Sequence, residues 1–143
     1  MAPGRRWIAV VPLSSVLLLA TCGRAPSDER VVDEPATVQL IGAGDVSRVT
    51  LTERGAERLE IRTAPIQPAG TRLVVPSSAV LVDPDGDVWV YTSPEPLSFV
   101  RSAIDVSDEV GDRTFLSAGP PPGTQVVTVG VAELYGAEFG IGH

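Results

Sequence analysis

The sequence RLVVPSSAVLVDPDGDVWVYTS occupies residues 72–93. It holds two runs rich in Val, Leu, Trp and Tyr, a composition typical of β-strands. Between them lies Asp-Pro-Asp-Gly-Asp at 83–87, and an Asp-Gly pair in this position favours a tight β-turn. The sequence therefore predicts an antiparallel β-hairpin in the middle of the folded region.

Further short apolar runs follow the hairpin, and clusters of Pro and Gly separate them. The runs lie at residues 97–106, 113–118 and 125–130. Short strands with turn signals between them are typical of small antiparallel sheets and barrels. We therefore expect a mainly β domain, built as a small antiparallel sheet or barrel.

Two segments have the apolar spacing of short helices. The first, at 52–61, has Thr52 in a position to cap its N-terminus, although Gly55 weakens the prediction. The second, at 131–139, places four large apolar residues on one face, and Gly136 is expected to break it. One or two short helices should accompany the strands.

The N-terminal residues have the order of an export signal. Two arginines precede a mostly apolar run at 7–20, which is shorter than the ~20 residues that a membrane span needs. The run ends in Leu-Ala-Thr-Cys, which resembles the lipobox of bacterial lipoproteins, where the cysteine becomes the lipidated first residue. We predict a lipoprotein signal peptide at 1–21 and lipidation of Cys22. An ordinary secretory signal cut elsewhere and a short uncleaved anchor are the alternatives.

Residues 22–45 are rich in Pro, Gly, Ser and mixed charge, which predicts a flexible, lipid-anchored linker. A coil of ~20 residues has an r.m.s. reach of about 25 Å. The remaining residues, 46–143, are enough for one small core and one domain. The expected location is the extracytoplasmic face of the cell membrane or outer membrane.

The charge balance limits the partners. The chain has a formal net charge of -7, and loss of residues 1–21 removes two basic and no acidic residues, giving −9. Such a chain repels phosphate, so nucleic acid is not an expected partner. The protein is expected to bind the membrane through acyl chains on Cys22 and not through contacts with lipid headgroups.

No catalytic residue, cofactor or metal site is predicted. The only histidine is His143 and the chain has no lysine, so no serine has a general base nearby in the sequence. The segment at 83–87 begins like a calcium loop, but Val88 and Pro94 occupy the positions that need glycine and an acidic ligand. A polar turn is the better interpretation, and we expect a protein that is not an enzyme.

The C-terminal half resembles the membrane-proximal part of periplasmic adaptor subunits, or membrane fusion proteins, of resistance-nodulation-division efflux systems. The resemblance is carried by Val-Pro at 75–76, VWVY at 88–91, Arg101, Gly-Asp at 111–112 and PGTQVVTVG at 122–130. It covers about 65 residues. Residues 49–66 are similar to the stretch before the first lipoyl half in heavy-metal-efflux adaptors.

The chain departs from that family by lacking the lipoyl modules and the long helical hairpin, since residues 64–70 run directly into the strand at 72. The resemblance implies an accessory or adaptor-like role in transport, with a transporter's extracytoplasmic domain or another adaptor as partner. A stand-alone lipoprotein that binds a small ligand or an envelope polymer is the alternative. Possible partner contacts are the hairpin-tip residues Asp83, Asp85 and Asp87.

Overall fold

The structure, a computed structural model, describes residues 34–42 and 46–141. The predicted signal peptide, Cys22, the first part of the predicted linker and His143 lie outside these residues. No helix in the described ranges is long and apolar enough to cross a membrane.

The described residues form eleven strands and two α-helices. The helices are α1 (Glu53–Arg58) and α2 (Val131–Phe139). The strands are β1 (Ala36–Leu40), β2 (Ser47–Leu51), β3 (Arg62–Pro65), β4 (Gln67–Ala69), β5 (Arg72–Pro76), β6 (Leu81–Val82), β7 (Val88–Glu95), β8 (Ser98–Ala103), β9 (Asp105–Val110), β10 (Arg113–Ala118) and β11 (Gln125–Val129).

The strands build two antiparallel sheets. The larger sheet has the order β1-β2-β8-β7-β11-β3, with the short β6 also paired to β7, and the smaller has the order β4-β5-β10-β9. Neither sheet closes on itself, because each ends in strands with one neighbour. The prediction of a mainly β fold with antiparallel sheets and short helices is confirmed.

Two apolar clusters lie on opposite faces of the larger sheet. One packs under the helices and includes Tyr91 and Val127, and the other lies towards the smaller sheet and includes Val90 and Val126. Successive residues of a strand point to opposite faces. Strands β7 and β11 are therefore buried on both sides, which explains their nearly continuous apolar sequences.

The turn predicted at 83–87 is present between β6 and β7, but only Leu81 and Val82 of the first apolar run pair with β7. The earlier part of that run, residues 72–76, forms β5 in the smaller sheet, so the predicted hairpin is shorter than expected. Leu81 lies opposite Trp89, and the Asp83 backbone N–H donates to the Asp87 carbonyl at 3.0 Å. Gly86 adopts φ 91°, a conformation that side chains disfavour. Glycine is therefore favoured at position 86 because the turn requires a positive φ, as the Asp-Gly pair predicts.

Helix α1 begins as predicted. Thr52 lies just before it, and its hydroxyl accepts the backbone N–H of Gly55 at 3.0 Å. Gly55 is buried, and a Cβ atom there would lie 2.5 Å from the Pro35 carbonyl oxygen. Glycine at position 55 therefore allows the backbone at Pro35, just before β1, to lie close to helix α1.

Gly55→Ala should consequently destabilise the protein, although alanine is the better helix former by about 1 kcal/mol. Overpacking against a fixed backbone atom typically costs about 1–3 kcal/mol. Urea unfolding should show a loss in this range, whereas Arg54→Ala, an exposed change in the same helix, should have little effect. A Gly55→Ala variant more stable than wild type would contradict the packing argument.

Two predictions about element boundaries were wrong. Residues 36–40, assigned to the flexible linker, form β1 and pair along their whole length with β2. An edge strand is held mainly by main-chain hydrogen bonds, so its composition can look like that of a linker. Gly136 does not break α2, which continues to Phe139; instead a Cβ at Gly136 would lie 2.8 Å from the carbonyl oxygen of Ile141.

Candidate binding surface

The hairpin tip is fixed by the side chain of Asp83. Its Oδ1 accepts the backbone N–H groups of Asp85 at 3.1 Å and Asp87 at 2.9 Å, and its Oδ2 accepts the indole N–H of Trp89 at 2.9 Å. Burial acts to raise the pKa of Asp83, but hydrogen bonds from Trp89 and the turn backbone outweigh it and lower the pKa below 3.8. Asp83 is therefore an ionised structural residue of the turn.

The three aspartates predicted as partner contacts thus have different environments. The Asp83 carboxylate is occupied by bonds within the hairpin, while Asp85 and Asp87 are exposed. Their backbone N–H groups are held by Asp83, so the turn presents these two carboxylates in a fixed arrangement. The available negative charge of the tip comes from Asp85 and Asp87.

Trp89 connects the tip to a cationic side chain on the neighbouring strand. The guanidinium carbon of Arg101 lies 4.4 Å from the centroid of the Trp89 ring and 4.9 Å from that of Phe139. Cations over aromatic faces are attracted by the ring quadrupole. The guanidinium therefore links the base of the hairpin on β7 to the C-terminal end of α2.

Arg101 also forms a buried ion pair with Glu138 of α2. The Arg101 Nε donates to the Glu138 Oε2 at 2.9 Å, and the two side chains are only 5% and 1% exposed. The Tyr91 hydroxyl donates to the same oxygen at 2.6 Å, and the backbone N–H of Ser47 donates to Oε1 at 3.3 Å. Glu138 is thereby bound to three strands of the larger sheet.

The pKa of Tyr91 is raised above 10.0 by burial, by the hydrogen bond to Glu138 and by the charge of that carboxylate. The hydroxyl therefore keeps its proton and remains a donor to Glu138. Sequence reasoning missed this network because its members are far apart in the chain. The available signal was Arg101, a charged residue inside an apolar strand.

A shallow groove of about 520 Å³ lies beside the tip. Its lining includes Asp87, Val88, Trp89, Ile104, Asp105 and Val106. The apolar side chains provide a surface for an aliphatic or aromatic group, and the two carboxylates provide negative charge. This combination suits a side chain with an apolar stem and a cationic head, as in Arg or Lys.

A second groove, of about 600 Å³, runs along α1 and is lined by residues that include Glu53, Glu57 and Glu60. Its lining also includes Ile61, Arg62 of β3 and Leu97, so this groove too combines several elements. The groove beside the tip differs in that one of its lining residues, Trp89, donates a hydrogen bond to Asp83 and lies against Arg101. We therefore regard the tip and its groove, comprising residues 85–89 and 103–106, as the candidate surface.

The described residues contain no group of three or more His, Cys, Asp or Glu arranged to hold a metal ion. In the hairpin, the oxygens of Asp83 already accept three hydrogen bonds. Comparison with known proteins finds no matching family model, curated protein or solved structure.

The role of Asp83 can be tested by comparing Asp83→Ala with Asp85→Ala, which removes the same charge from the same turn. We expect only Asp83→Ala to lower the melting temperature clearly, because it removes the acceptor of the three bonds. A carboxyl with a lowered folded-state pKa stabilises the fold above its ordinary pKa, 3.8, and loses this effect as the pH falls through the folded-state value. The difference in melting temperature between Asp83→Ala and wild type should therefore shrink in acid. Equal melting temperatures of the two proteins at neutral pH would contradict the structural role of Asp83.

Proposed function

We propose that this protein is a lipid-anchored component of the cell envelope that acts by binding and not by catalysis. Its role would be accessory or adaptor-like, in a transmembrane efflux or transport system. The observation that carries the proposal is the fixed acidic tip, in which Asp83 and Trp89 hold the turn while Asp85 and Asp87 remain exposed. The sequence resemblance to efflux adaptors supplies the class of partner.

The chemistry of the surface indicates a basic partner. Asp85, Asp87 and Asp105 are exposed around a groove with an apolar lining. Complementary charge speeds association and fixes orientation more than it adds affinity. A basic patch on a transporter's extracytoplasmic domain, or on another adaptor, fits this surface. An outer-membrane channel is not proposed, because the helical hairpin that contacts such channels in adaptors has no counterpart in this sequence.

Charge reversal tests the proposal. The variant Asp85→Lys/Asp87→Lys should reduce the rate of association with the transport partner by about 10-fold or more at low ionic strength, with a smaller effect at high salt. The matched control is Glu57→Lys/Glu109→Lys, which makes the same change in net charge at exposed positions away from the tip.

Association can be followed with the full-length protein in membrane vesicles and the partner recovered from solubilised membranes. If both double variants reduced the association rate equally, only the net charge of the protein would matter. If neither variant reduced the association rate, the tip would not be part of the interface.

A stand-alone lipoprotein that binds a small ligand or an envelope polymer is the second candidate. The groove beside the tip favours it, because its lining combines apolar side chains with a few polar groups, as small-ligand sites commonly do. Titration of the full-length protein with envelope polymer fragments, followed by Trp89 fluorescence, distinguishes the two. Saturable binding that Asp85→Lys/Asp87→Lys leaves intact, without any transport partner, would favour this second function.

A further inference from the structure

The four strands at the ends of the two sheets differ in how their open edges are protected. Strand β3 contains Pro65 and β4 contains Pro68, and proline cannot donate to a new strand. Strand β9 carries three acidic residues and a bulge near Ser107. Strand β1 has neither proline, charge nor bulge. Natural sheets normally block their edges with such features, so β1 is the exception among these four strands. Strand β6 also has a single neighbour, but its two residues offer little edge.

The hydrogen bonds that flank β1 show which of its main-chain groups face outwards. Thr52 N–H donates to the Pro35 carbonyl and Ile41 N–H donates to the Val46 carbonyl, both at 3.0 Å. Residues directly opposite each other alternate between bonded and non-bonded pairs in an antiparallel ladder. The odd-numbered residues of β1 therefore bond to β2. The even-numbered residues direct their N–H and C=O groups to the open edge; they are Ala36, Val38 and Leu40.

The side chains of the same three residues lie on the apolar face of the sheet. Val38 is opposite Val49 and Ala36 is opposite Leu51, and both partners belong to the cluster under the helices. Yet Val38 is 42% exposed and Leu40 is 67% exposed. The apolar cluster thus continues to the open edge, where Val38 and Leu40 stay exposed although helix α2 contacts β1.

We propose that a second copy of this chain pairs with β1 through its own β1, so that the two larger sheets join across a two-fold axis. Antiparallel pairing centred on Val38 places Ala36 opposite Leu40 of the second copy and Val38 opposite Val38. All outward main-chain groups then find partners. This dimer goes beyond the proposed function and does not depend on it.

The composition of β1 favours a second copy as the occupant. A self-pairing strand must tolerate its own charges, and β1 has none although the whole chain carries a net charge of -7. On the other face, Thr37 would lie opposite Gln39, a neutral polar pair. A five-residue strand buries less surface than a standard interface of about 1,600 Å². The dimer is therefore weak, and covalent trapping is the suitable measurement.

The test introduces cysteine into the full-length protein in membranes, followed by mild oxidation. Opposed residues of a bonded antiparallel pair have Cα atoms about 5.5 Å apart, within the range for a disulfide. Val38→Cys should therefore give a disulfide dimer. Leu40→Cys should not, because the two copies of residue 40 would be displaced by four residues, about 14 Å. Leu40→Cys mixed with Ala36→Cys should give the crosslinked dimer again.

Wild type, which contains Cys22, is the control for disulfides at that residue, and mass spectrometry of the linked peptides locates each bond. This pattern of trapping supports the two-fold pairing. It is overturned if Val38→Cys stays monomeric or links to a different protein. It is also overturned if Leu40→Cys dimerises as efficiently as Val38→Cys, which would indicate random collision.

Discussion

Glu138→Ala is expected to lower the free energy of unfolding by about 3–5 kcal/mol, the usual cost of removing one partner from a buried ion pair. The loss is large because the Arg101 side chain, only 5% exposed, would keep a charge without its buried carboxylate. The Tyr91 hydroxyl and the Ser47 N–H would lose their acceptor as well. Since small domains have about 5–15 kcal/mol in total, the variant should be partly unfolded at moderate temperature.

Urea unfolding of the purified protein measures this effect. Glu133→Ala, an exposed change in the same helix, is the matched control and should have little effect. The double variant Arg101→Met/Glu138→Leu replaces both charged side chains with apolar ones. Its free energy of unfolding should therefore fall by much less than the sum of the losses in the two single variants. A loss below about 1 kcal/mol for Glu138→Ala would mean that the pair does not hold α2 to the sheet.

Cys22→Ala is expected to move the protein from the membrane fraction to the soluble fraction. Each buried CH₂ of an acyl chain contributes ~0.8 kcal/mol, so two or more chains anchor a protein stably where one is marginal. The apolar run at 7–20 is too short to replace them as a comfortable span. Ser27→Ala, a neighbouring change in the predicted linker, should leave the distribution unchanged.

Intact mass spectrometry of the membrane-bound wild type gives an independent result. The mass should correspond to a chain that begins at Cys22 and carries acyl groups. An unmodified thiol at Cys22, or a Cys22→Ala protein that remains in the membrane fraction, would contradict the lipid anchor.

The local parts of the fold were predictable from sequence. The turn at 83–87 and the Thr52 cap depend on contacts between residues at most a few positions apart, and both have known residue preferences. Strand β1 was missed because its stability comes from pairing with β2 and from contact with a distant helix. The role of Gly136 was misread because it depends on a residue beyond the helix. The carbonyl oxygen of Ile141 lies so close to Gly136 that it leaves no room for a Cβ atom there.

The candidate surface was predictable in location but not in detail. The sequence presents Asp83, Asp85 and Asp87 as equivalent acidic residues, and only the hydrogen bonds show that Asp83 is structural. The contact between Arg101 and Glu138 joins residues 37 positions apart, and no sequence spacing indicates it. Long-range pairs of this kind depend on how α2 packs on the sheet.

The most direct test of the proposed role is crosslinking in living cells from a photoreactive residue at position 85 of the full-length protein, with position 57 on α1 as the control. Asp85 is exposed at the tip, so its replacement should not disturb the turn that Asp83 holds. We predict that position 85, and not position 57, crosslinks to the extracytoplasmic domain of a transporter or to another adaptor. Recovery of an outer-membrane channel alone, or of no transport component under any growth condition, would contradict the account.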